Sequence, residues 1–147
     1  MNTFKKNNHG FSLIELIIVI AIMAIIIAVL APQFLRYIEK SRQGKDADTA
    51  GVVKRAITIA MVDNTIVDRP SSFSGDLTLL DDGTRPVFVQ AIKDYLGNYD
   101  FGNFKRDNIK SNAYKASPVY IDIDSNSELV RVTLSSNAVG VEDIVIE

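Results

Sequence analysis

Glu15 is the residue whose setting asks most for a chemical explanation. It stands at the mouth of an apolar run in which no polar side chain occurs from Leu16 to Ala31. Within a bilayer an unpaired acid costs about 2.5–3.5 kcal/mol, much of which a well-placed cation offsets. Its chemistry is therefore electrostatic, and two readings stand. Either Glu15 reaches the headgroups and is solvated there, or it pairs with an opposite charge. Other chemistry-bearing residues point to weaker sites. Asp122, Asp124, Asn126 and Glu128 alternate like the opening of a calcium loop, but Ser127 replaces the glycine of the sixth place and Thr133 the acid of the twelfth. If 119–123 is a strand, Asp122 simply faces water opposite Ile121 and Ile123. There is no cysteine, and His9 is the single histidine. Disulfides and thiol chemistry are excluded, zinc is disfavoured, and no serine has a base to activate it. We therefore expect no enzyme and no cofactor. Tyr95, Tyr99, Phe101 and Phe104, near Lys105, Arg106 and Lys110, offer the aromatic and cationic mixture that holds single strands. The plainer reading has these rings packing on a core beside solvated charges, so nucleic acid is not an expected partner.

The elements that must position these residues begin with the apolar run. Across 147 residues the net charge is −2, and Lys5 and Lys6 are the only charges in the first ten, which leaves −4 on the remainder. The composition suits one domain plus an anchor. A helix over 11–35 is about 37 Å long and its uninterrupted part about 24 Å, against a bilayer core of about 30 Å. The basic leader is expected to stay in the cytoplasm by the positive-inside rule, with the run pointing outward. Secretory cleavage near Ala28 and Ala31 and a plain single-pass anchor are the bland alternatives. The second of these gives no reason for Glu15.

Gly10-Phe11-Ser12-Leu13-Ile14-Glu15, after a short basic leader and before an apolar helix, resembles the processing signal of type IV prepilins. The resemblance covers about the first quarter of the chain. It implies cleavage by a prepilin peptidase between Gly10 and Phe11, methylation of the new amine on Phe11, and pairing of Glu15 with the amine of a neighbouring subunit. Glycine also suits the cut, because without a side chain the extended backbone can lie close to a protease. The implied segments are a leader at 1–10, a membrane or filament-core helix at 11–34 and a globular headgroup at 35–147. The implied partners are further copies in a helical filament, the peptidase that also methylates, an inner-membrane platform protein and a cytoplasmic assembly ATPase. The chain would be held in a bacterial membrane and then displayed as a surface filament. A pseudopilin of a secretion or competence system shares every one of these features, and a membrane-anchored binding module would keep residues 1–10 and form no filament. Since headgroups of related type II secretion pseudopilins can bind calcium, Asp122 and Asp124 remain positions to test.

Pro32 removes one N–H and presses on the preceding turn, predicting a bend or local loosening. Many family members place a glycine ahead of that proline, whereas this chain has Ala24 and Ile25-Ile26-Ile27. Beyond it, Leu35, Ile38, Ala47, Ala50, Val53, Ile57, Ala60 and Met61 follow helical spacing among charged residues that include Asp46. This predicts one long helix ending near Val62, with Gly44 and Gly51 as soft points and Asp63-Asn64 as the stop. Residues 65–85 read as a loop region with a short strand at 77–80. A second helix starts at Pro86 and closes at Gly97, and 99–112 reads as an exposed connection. Alternation at 119–123, 129–134 and 139–146 predicts antiparallel strands. The fold class expected is α+β, with a long helix covering a C-terminal sheet of three to four strands, similar to the type IV pilin fold.

Overall fold

The computed structural model describes residues 11–124 and 129–147, so the leader with Gly10, and the positions Asn126, Ser127 and Glu128, lie outside the described residues. The chain divides at Ile38 and Glu39 into two units. In the first, α1 begins at Leu13, and every residue from Phe11 to Tyr37 is exposed. The helix continues through Pro32 to end at Val62, the residue at which its apolar pattern stops. Asp63 accepts bonds from the Thr65 N–H at 2.9 Å and the Thr65 hydroxyl at 2.7 Å, turning the chain. Arg69 Nη1 donates to the Met61 carbonyl at 2.6 Å, supplying a cation where the helix dipole is negative.

The second unit is an α+β head. Its antiparallel sheet has the order β1-β2-β3-β4, from β1 (Ser72–Asp76), β2 (Val119–Asp124), β3 (Leu129–Leu134) and β4 (Ile144–Ile146). Pairs such as Ile121 with Val132 and Ile123 with Val130 set the register, so Val119, Ile121, Ile123, Val130, Val132 and Leu134 share the buried face. Ala50, Val53, Ile57 and Ala60 of α1 join them in one core. Each isoleucine fully buried there contributes about 1.5–3 kcal/mol. The opposite face keeps Tyr120 and Asp122 in water, as the alternation predicts.

Four departures from the expected elements have local causes. Leu77–Leu80 is a 3-10 turn and not a strand. Leu77 and Leu80 are both buried, and a spacing of three puts them on one side of a 3-10 turn but on opposite faces of a strand. Asp76 starts the turn by accepting from the Thr78 N–H at 2.7 Å, and β1 is the segment just before it. The exposed connection expected at 99–112 contains α3 (Phe101–Asn108). Asp100 caps it, accepting from Gly102 N at 3.0 Å and Asn103 N at 3.2 Å, while Phe101 and Phe104 turn into the core. The last strand spans three residues instead of 139–146, because Gly140 takes φ +79° and Asp143 accepts the Ser136 N–H at 2.6 Å, holding the preceding loop. Leu35 belongs to no core and is exposed.

The second helix, α2 (Pro86–Tyr95), forms where expected, with Gly97 at φ +83° beyond its end. Its N-terminal residue Arg85 makes no side-chain cap. Asp68 acts instead from a distant loop, accepting Val87 N at 2.8 Å and Phe88 N at 2.9 Å.

Candidate functional site

The start of α1 is built by a reciprocal pair. Ser12 immediately precedes the helix, its N–H donating to Glu15 Oε2 at 2.8 Å, and the Glu15 N–H donates to Ser12 Oγ at 3.3 Å. This is a capping box, which satisfies two amides that the first turn leaves without intrahelical acceptors. The first turn closes with Leu16 N donating to the Ser12 carbonyl at 3.3 Å. Glu15 thus has an intrachain partner, and among the described residues Ser12 is its only hydrogen-bond partner. The Ser-x-x-Glu spacing announces this box in the sequence, yet a reading that looks outside the fold for the acid's partner overlooks it. Helix-terminal amides and a cation are compatible partners for one carboxylate, since a neutral N–H leaves the charge itself uncompensated.

Phe11 lies just outside the helix and is 83% exposed. The junction expected to be cut therefore presents non-helical backbone on its Phe11 side. From Leu13 onward α1 is long and apolar enough to cross a membrane, by length and composition. An apolar surface of that extent calls for lipid or protein around it. Pro32 lies inside this stretch, where its missing N–H leaves the Ala28 carbonyl without an intrahelical donor.

Two further acids of α1 act where their sequence setting suggests solvated charges. Asp46 is fully buried, with 0% exposure. It accepts the Lys110 N–H and the Ser111 N–H, each at 2.9 Å, and a short bond from the Ser111 hydroxyl. Glu39 Oε1 accepts the Asn112 N–H at 2.6 Å. Three successive backbone amides thereby lie against α1, held by carboxylates seven residues apart. The signal for Asp46 is its phase: 46, 50, 53, 57 and 60 step by four and three along the same face as the core alanines and isoleucine.

The remaining candidates do not converge on a site. Phe101 and Phe104 are buried, Tyr99 meets Phe104 edge-on with centroids 5.9 Å apart, and Lys93 stands over the Phe101 ring at 5.4 Å. Tyr99, Phe101 and Phe104 are thus engaged in packing or ring contacts, whereas Tyr95 is 59% exposed. Asp122 lies on the outer sheet face opposite Arg131 in the register, and among the described residues no three acidic or histidine side chains gather.

Residues 5–31 match the family described as "Prokaryotic N-terminal methylation motif". The chain is 36% identical over 64 residues to "Type IV major fimbrial protein FimA" of Dichelobacter nodosus, covering 44% of this chain and 40% of that protein. It is 39% identical over 67 residues to "Prepilin peptidase-dependent protein A" of Clostridium perfringens (strain 13 / Type A), covering 44% of this chain and 47% of that one. The chain thus spans less than half the length of these curated relatives. No solved structure matches it significantly. At its N-terminal end the chain is type IV pilin-like and carries a prepilin-type methylation motif, and the helix-on-sheet head is consistent with the type IV pilin fold.

Proposed function

We propose that this chain is a structural subunit of a type IV pilus or a related filament. A prepilin peptidase cuts between Gly10 and Phe11 and methylates the amine of Phe11. The helix of 11–34 then holds the subunit in the membrane, and the subunit joins a filament through that helix. Glu15 pairs with the amine on the next copy, and Pro32 is the turn at which α1 bends or loosens. A platform protein and an assembly ATPase drive the polymerisation, and no reaction is assigned to the chain itself. The observation that carries this reading is the methylation motif placed at the start of a fully exposed apolar helix that ends in an α+β head.

The positive-inside expectation for the leader weakens once both flanks of the span are counted, so membrane orientation in this proposal rests on the processing signal. Lys5 and Lys6 precede the span, whereas Arg36, Lys40, Arg42 and Lys45 follow it, so a count of cations alone does not favour a cytoplasmic leader. Mass spectrometry of the purified subunit tests the proposal. A mature N-terminus at methylated Phe11 is expected; an intact Met1 would replace the filament reading with that of a membrane-anchored binding module. Long surface fibres lost on deletion of the chain separate a pilin from a pseudopilin.

A further inference from the structure

We infer that Lys40, Lys45 and Lys110 form a cationic collar that binds the phosphate headgroups of anionic lipids where the chain leaves the bilayer. This rests on the membrane-held stage of the proposed function and needs no filament. In sequence the region looks nearly balanced, since Glu39 and Asp46 alternate with Lys40, Arg42 and Lys45. The fold removes most of that balance, leaving Asp48 as the exposed acid of the stretch. Asp46 is fully buried against the amides of Lys110 and Ser111, and Glu39 is shared between the Asn112 amide and Arg42, whose Nη1 lies 4.0 Å from Glu39 Oε2. Lys40, Lys45 and Lys110 are exposed, and none of them forms an ion pair among the described residues.

Their angular placement selects a plane over a protein face. At about 100° per residue, Glu39 and Asp46 fall on one side of α1, with Lys40 and Lys45 roughly a third of a turn away on either flank. The acids' side is the one crossed by the backbone of 110–112, which carries Lys110. Cations therefore occur on all three sides of the helix, which suits a surface that the helix passes through; docking to one protein partner would need only one side. The level also fits. Phe34 and Leu35 end the exposed apolar stretch ahead of Arg36, and Lys40 follows Leu35 by about 7 Å along the helix, within the headgroup layer. Lys45 lies about 15 Å along, and its flexible stem lets the ammonium reach back towards the surface. The collar is local, because residues 11–147 carry −4 in total.

Hydrogen exchange of the full chain tests this, in nanodiscs of phosphatidylcholine alone or with about one third phosphatidylglycerol. A lysine near an anionic surface is worth about a fivefold change in equilibrium. We expect amides in 40–48 and 109–116 to exchange at least about fivefold more slowly in the anionic discs, with the difference removed by high salt and by the triple variant K40Q/K45Q/K110Q. Unchanged protection of β2 and β3 in that variant confirms that the head is folded. Equal exchange in the two lipids, or a difference that survives in the triple variant, overturns the collar. So does protection that arises only on polymerisation and is indifferent to lipid, which would assign these lysines to a second copy. A chain left unprocessed at Phe11 would still give the lipid effect, so the two readings fail separately.

Discussion

Glu15 carries two demands that call for different partners. Its oxygen accepts the Ser12 amide at 2.8 Å and so helps to start α1, while its charge still needs a cation if the helix end enters lipid. Replacement by alanine separates the two. Glu15→Ala is expected to leave cleavage and methylation at Phe11 largely intact and to abolish filaments; normal fibres by electron microscopy would reduce Glu15 to a helix cap. At Asp46, which is buried, the demand is steric and polar. Asp46→Ala leaves the Lys110 and Ser111 amides and the Ser111 hydroxyl without their acceptor. The expected loss is on the order of 3 kcal/mol, because buried donors left unpaired cost about 1–3 kcal/mol each and are not simply additive. Urea unfolding in detergent would show it, and a change below about 0.5 kcal/mol would mean that water replaces the carboxylate. Both residues were legible in part. The Ser-x-x-Glu box is contiguous in sequence, and Asp46 keeps the phase of the core positions, but its donors cannot be read from spacing.

Among the elements, those governed by near neighbours follow their sequence signals closely. The end of α1 at Val62, the start of α2 at Pro86 and the span of β3 each coincide with a change of period or a turn residue. Leu77–Leu80 departs because a leucine spacing of three is ambiguous until it is known that both must be buried. α3 departs because Asp100 and two phenylalanines mark a helix too short for its periodicity to stand out. α2 depends on a residue of another loop. Removing Asp68, whose oxygens accept from Val87 N and Phe88 N, is expected to destabilise the head by about 1–2 kcal/mol. Asp68→Asn should recover part of that loss, with exchange at 87–90 as the readout. Wild-type exchange there in Asp68→Ala would show that Pro86 alone is enough to start the helix.

For the whole molecule, stability should depend on pH at both extremes. Burial, then the carboxylates of Asp143, Asp46 and Glu142, raise the Tyr114 phenol above its usual value, and its hydroxyl donates to the Glu142 carbonyl at 2.7 Å. A raised folded-state value means that the protonated phenol is favoured in the fold. Its contribution is therefore complete below about pH 10 and lost as pH rises through the folded-state value. Tyr114→Phe should be less stable at neutral pH but show a shallower alkaline decline; an equally steep decline would assign the effect to other groups. In acid the sign reverses. Asp63 is held below the usual carboxylate value chiefly by the N–H and then the hydroxyl of Thr65, and Asp82 chiefly by the hydroxyl and then the N–H of Thr84. What they contribute is present above about pH 4 and disappears as pH falls through their folded-state values. At this scale the sequence alone established the apolar segment, its prepilin-like signature, the long helix and the alternating β2 and β3, because each is set by residues within a few positions of one another. Tertiary structure decided that Asp46 is a buried clamp and that, among the described residues, the lysines around it stand without ion pairs. It also added β1 at Ser72–Asp76 to the three strands expected from alternation. The physical reason is distance along the chain: Asp46 finds its amides 64 and 65 residues away and Glu39 finds its own at 73, and local periodicity carries no record of which distant backbone will arrive.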